Sequence, residues 1–233
     1  MHTSERHWNK ATSERPARSL ALFALSQRPT DEERARLTLN LAIASHRAGD
    51  DLAAFKILNE SGAVFERASL VIQASAHNER GIILYNLRRT IEARAEYEIA
   101  SSLYRAAGDE KRRASTLNNL ALLYAEERDF REAHRCAGAA RKVWTKAEDQ
   151  PRIAQSLDTL ARILLLEGRT IEAAQMSRQA ISILRGTNYQ VRLRQARATY
   201  TAILEAQNSE RSETSTSQPA RSIITDPASP RAP

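Results

Sequence analysis

Five histidines and a single cysteine are the residues of this 233-residue chain that most readily bind metals or act as nucleophiles. His2, His7, His46, His77 and His134 are scattered, and none lies four residues from another, the spacing that would set two imidazoles on one helical face. His134 and Cys136 are two apart, which on a helix turns them about 200° from each other. Neither a metal pair nor a thiolate–imidazole nucleophile is expected there, and Cys136 reads as a small buried residue. One cysteine also excludes a disulfide scaffold and a Cys-ligated zinc site, and points to a reducing, cytoplasmic setting. The glycines are isolated: 49, 108, 168 and 186 fall near expected helix ends, and 62, 81 and 138 within or beside helices. No Gly-rich phosphate loop results. Glu92, Glu132 and Glu172 recur, each one residue before an alanine, as suits a favourable charge in the first turn of a helix. A recurring carboxylate is not a single catalytic centre, so the chain is expected to be no enzyme and to need no cofactor or metal.

The elements that carry these residues are helical in pattern. Proline occurs at 16, 29, 151, 219, 227, 230 and 233, so the stretch 30–208 is interrupted once, which fits long helices joined by short turns. Abundant Ala and Arg suit helical surfaces. Residues 1–30 form a polar N-terminal segment, relieved by the apolar run 20–25, which is expected to be a helix capping the main domain. A signal peptide would need a longer apolar core and no Glu5 or Glu14 before it. From 209 to 233 the composition changes to Ser, Thr, Pro, Gln and Arg, which cannot bury enough surface to offset ordering entropy, and a disordered tail is expected. No apolar run approaches the roughly 18 residues of a membrane span.

Between these ends the sequence repeats. Small residues at 81, 121 and 161 are 40 apart; alanines follow at 93, 133 and 173, then at 100, 140 and 180, in the same register. An earlier copy has Ala42 and Ala54. Each unit reads as two helices. The first carries apolar residues at helical spacing, as in Leu117, Leu120, Ala121 and Tyr124, and the second runs Phe130, Ala133, Ala137, Ala140 and Trp144. Small residues at the crossings let paired helices approach closely, and stacked neighbours must complete the core.

This register resembles the tetratricopeptide repeats, in the longer-repeat branch found in kinesin light chains and bacterial regulators. The match is the small residue of the first helix, Leu84, Tyr124 or Leu164 three places later, the alanines of the second helix, and Tyr97 at the aromatic place. Ala137 and Ser177 depart from the pattern at that place, and the early Trp and closing Pro are missing. HEAT-type repeats have similar length, but the alanine register argues against them. The resemblance implies an all-α, right-handed superhelical solenoid of antiparallel helix pairs over residues 31–208, closed by a half-repeat with Tyr200, Ile203 and Leu204.

It further implies that first helices line a concave groove that binds a protein or peptide partner. The groove would present Leu39, Asn40, Ile43, His46 and Arg47, then Asn78, Glu79, Ile82, Tyr85 and Asn86. Asn118, Asn119, Leu122, Ala125 and Glu126 would follow, then Asp158, Thr159, Arg162, Leu165 and Leu166. Asn40, Asn78 and Asn119 step along it at near-repeat spacing, and an amide can hold a peptide backbone of any sequence. A clamp for terminal carboxylates would need several cations at the central places, where Asn78, Asn118 and Asp158 stand instead. The chain is thus expected to be a protein-interaction scaffold; alternatives are a regulatory or sensor module acting in trans, or a nucleic-acid binder using its net charge of +7. Arginines interleaved with glutamates argue against the last, the notable basic clusters being Arg88-Arg89 and Lys111-Arg112-Arg113.

Overall fold

Aspartate caps and tight turns divide the middle of the chain into helices of 15 to 17 residues. In the computed structural model, which describes residues 29–216 and their side chains as far as 210, these are α1 (Asp31–Arg47), α2 (Asp51–Glu60), α3 (Gly62–Glu66), α4 (Leu70–Asn86) and α5 (Thr90–Ala106). They continue with α6 (Glu110–Glu126), α7 (Phe130–Lys146), α8 (Gln150–Leu166), α9 (Thr170–Leu184) and α10 (Gln190–Thr216). The expected capping helix near residues 20–25 lies outside the described residues.

The helix starts follow from local chemistry. Asp50, Asp109, Asp129 and Asp149 each accept a hydrogen bond from the backbone N–H three residues on, satisfying a donor the helix leaves open. Thr30 and Glu33 form a reciprocal capping box before α1. α5 and α9 start without a side-chain cap; there Arg89 pairs with Glu92, and Arg169 with Glu172, at 2.6 Å. Glu92 and Glu172 therefore hold helix starts, whereas Glu132 pairs with Arg135 within α7. Helix ends close through a left-handed residue whose successor donates to a carbonyl five positions back, as Asp50 N–H does to Ser45 O at 3.0 Å. Gly49, Gly108 and Gly168 take that conformation as expected, but Arg88, Arg128 and Glu148 take it too, at φ of 63°, 66° and 53°.

Packing confirms the register read from the sequence. Ala42, Ala121 and Ala161, and the alanines at 54, 93, 133 and 173 and at 100, 140 and 180, are all fully buried. α4 packs on α5, α6 on α7 and α8 on α9 as antiparallel pairs, each pair also touching the next. The first unit differs: its second helix is broken into α2 and α3 at Ser61-Gly62, and Phe65 on α3 closes the core there. At the other end Leu193, Ala196 and Ile203 of α10 are buried against α8 and α9, Tyr200 is half-buried, and Leu204 stays exposed. α10 also runs on to Thr216, past the end of the domain expected at residue 208. No proline or glycine interrupts it there, and Thr170 Oγ1 donates to Glu210 Oε2 at 3.2 Å, fixing the extra turn to α9. The described part is thus an all-α solenoid of four helix pairs and a closing helix.

Candidate functional site

The expected groove residues sort into distinct registers along α1, α4, α6 and α8. Three places before the small anchor stand Leu39, Asn78, Asn118 and Asp158, and these turn into the seams between successive first helices. Thr116 Oγ1 donates to Asn78 Oδ1 at 2.9 Å, Asn118 Nδ2 donates to Ser156 Oγ at 3.2 Å, and Asp158 meets Thr199. Asn118 and its partner Ser156 are buried, as is Thr116. Asn78, expected to offer its amide to a ligand, thus spends its Oδ1 on the next repeat, and Asn118 is buried with its amide on Ser156. Burial pushes the Asp158 carboxyl above the ordinary range, against the opposing pull of Thr199 and Arg162.

Two places before the anchor stand Asn40, Glu79, Asn119 and Thr159. Asn40 is exposed, Asn119 half-buried, Glu79 and Thr159 buried. One place after it, Ile43, Ile82 and Leu122 are half-buried and Arg162 exposed. His46, Tyr85 and Leu165, four places after, are half-buried, whereas Ala125 is buried and offers no surface. Arg47, Asn86, Glu126 and Leu166 complete the edge and are exposed. An apolar strip, Ile43–Ile82–Tyr85–Leu122–Leu165, therefore runs across the first helices between polar borders.

Side chains tie this face together. Tyr85 donates its hydroxyl to Glu126 Oε1 at 2.5 Å, which links α4 to α6, and burial together with that carboxylate raises the Tyr85 phenol. His46 Nδ1 lies 2.5 Å from Asp51 Oδ1, joining the end of α1 to the start of α2. On the opposite side of α4, Glu96 is shared by His77 at 2.6 Å and Arg80 at 3.3 Å. Its burial would raise the carboxyl, but these two partners outweigh it and hold the group low.

Elsewhere the chemistry is spare. Among the described residues no group of His, Cys, Asp and Glu could hold a metal ion, and no helix is long and apolar enough to cross a membrane. Burial pushes the Cys136 thiol up to about 11, so it is a poor nucleophile. The basic clusters singled out in the sequence are neutralised in part: Arg89 pairs with Glu92, Arg112 with Asp109 and Arg113 with Glu110, while Arg88 and Lys111 are exposed and make no ion pair among the described residues. What the sequence reading missed is a shallow depression on α7 lined by Gly138, Arg141, Lys142, Thr145 and Lys146. The i, i+4 spacing of Lys142 and Lys146 was the available signal.

No protein-family model matches the chain, and no curated protein matches it. Among solved structures it is similar to BtubC (BKLC) from P. vanneervenii, with a TM-score of 0.67 and 16% identity over 97% of this chain and 99% of that one. It is also similar to a Podosopora anserina putative kinesin light chain of nearly identical TPR-like repeats, with a TM-score of 0.58 and 16% identity over 81% of this chain and 100% of the other. A point variant of the latter gives a TM-score of 0.59 and 16% identity over 79% of this chain and 97% of that one. With matching helix pairs, matching anchors and these structural relatives, the chain has a tetratricopeptide-like repeat fold.

Proposed function

We propose that this chain is a non-catalytic interaction scaffold that holds a peptide or partner helix along the face formed by α1, α4, α6 and α8. The observation that carries the reading is the half-buried strip Ile43–Ile82–Tyr85–Leu122–Leu165, which the core leaves partly uncovered at two adjoining registers, one and four places after the anchor, in successive repeats. Its apolar side chains supply contact area, and the unengaged amides of Asn40 and Asn119 supply hydrogen bonds to an extended main chain. Repeat folds of this kind usually bind other proteins, which agrees with the reading.

The test is affinity capture with the full chain, followed by mass spectrometry, comparing wild type with Leu122→Glu and with the Asn40→Ala, Asn119→Ala pair. Loss of a partner on Leu122→Glu, with the melting curve unchanged, supports the groove. Two lost hydrogen bonds at about 0.5 to 1.5 kcal/mol each should weaken the same partner about tenfold or more in the double variant. Partners retained at full affinity by both variants would sink the proposal.

A further inference from the structure

Glu79 is the one charged member of the stripe Asn40–Glu79–Asn119–Thr159, and its side chain is unusually placed. Only 8% of the residue is exposed, and Oε1 is buried with no hydrogen-bond donor among the described residues. The nearest charged groups act on it through space without bonding to it: His46 is held by Asp51, and Arg47 makes no ion pair with it. Desolvation accordingly raises its carboxyl above the ordinary range. An unpaired carboxylate in such a place is costly to the fold. The neighbouring repeats show that the fold does not need it, since Asn40, Asn119 and Thr159 fill the same register.

Its register places it beside the proposed groove. Glu79 lies one turn before Ile82 and two turns before exposed Asn86 on α4, at the border between the apolar strip and the seam with α1. Neutral groups suffice to hold a peptide main chain, whereas a carboxylate adds charge, which only a cationic side chain exploits. Asp51 nearby adds to the negative charge, and Ile43 and Ile82 provide apolar surface for an aliphatic stem.

We propose that Glu79 is the specificity subsite of this groove and receives a Lys or Arg side chain of the bound segment. The inference rests on the groove reading above. A random peptide library displayed on phage, selected on the full chain, tests both. The expected result is a fixed Lys or Arg in the selected peptides and binding about tenfold weaker to a folded Glu79→Gln variant. Norleucine in place of the peptide's basic residue should cause the same loss on wild type and no further loss on the variant. Peptides without a fixed basic residue that still fail to bind Leu122→Glu would leave the groove standing and overturn the subsite, as would equal affinity for Glu79→Gln. Peptides indifferent to Leu122→Glu, or none at all, would overturn the groove and the subsite with it.

Discussion

A methyl group added at Gly81 would meet two atoms of the buried Tyr97 ring at 2.7 Å, so the glycine and the tyrosine are chosen together. In the next units the same crossing pairs Ala121 with Ala137 and Ala161 with Ser177, a methyl in the first helix against a small residue in the second. Gly81→Ala gains helix propensity of roughly 1 kcal/mol but must displace the ring, and should destabilise by about 1 to 2 kcal/mol in a denaturant melt. The small anchors were legible in the sequence; the compensation between positions 81 and 97 was not, because it needs the crossing itself. The asparagines show a second limit. Asn78 and Asn119 are 41 residues apart, one more than the repeat, and one residue is about 100° of helix, enough to move an amide from the outer face into the seam. pH separates the buried Glu79 from the half-buried Glu96 on this α4–α5 unit. Glu96 has its folded pKa lowered, so its contribution is present above the ordinary carboxylate value and is lost as pH falls through the folded one. Glu79 has its folded pKa raised, so the sign reverses: its favourable state is the protonated one at low pH, and stability is lost as pH rises through the folded value. Thermal melts should therefore show Glu79→Gln more stable than wild type at neutral pH, with the difference closing toward acid pH; Glu96→Gln should be less stable at neutral pH, with its deficit closing on acidification.

Helices follow from short-range rules, which is why α4 to α9 could be read from period and alanine register; the aspartate caps of α6, α7 and α8 emerged only with the structure. The ends were less regular. Glycine was expected to close the turns, yet Arg88, Arg128 and Glu148 hold the same left-handed conformation, because the bonds closing the turn fix it whatever residue is present. A left-handed L-residue costs roughly 1 to 2 kcal/mol, while glycine costs the unfolded chain about 0.5 to 1. Glu148→Gly, at an exposed turn residue, should therefore raise stability by about 0.5 to 1 kcal/mol. A lower melting temperature would show that the turn is not strained. Overpacking tests the pairs themselves: Ala121→Leu pushes a larger side chain into the fully buried crossing of α6 with α7 and should cost about 1 to 3 kcal/mol. The split of α2 from α3 at Ser61-Gly62 is accompanied by Phe65 in the first core, and the extension of α10 by Thr170 on Glu210, contacts that the repeat register does not announce.

Charge is unevenly distributed along the solenoid. Acidic residues outnumber basic ones between Asp31 and Asp129, and basic ones predominate from Phe130 to Glu210. Net charge alone therefore does not locate the cationic surface. The basic clusters at the turns are mostly paired, Arg88 and Lys111 excepted, whereas all three of Arg141, Lys142 and Lys146 on α7 have no carboxylate within ion-pair distance among the described residues and line one shallow depression. This outer helix lies on the far side of its pair from the apolar strip, so the two surfaces should respond independently. Any association with an unrelated DNA duplex should come from α7, be weak, and fall steeply between about 50 and 200 mM salt as released counterions lose their advantage. Changing Arg141, Lys142 and Lys146 together to Glu should remove it while leaving groove peptides bound at wild-type strength. Leu122→Glu should do the reverse. Duplex binding that survives both the salt and the α7 changes would mean that nucleic acid is read elsewhere on the chain, and would reopen the nucleic-acid reading of its function.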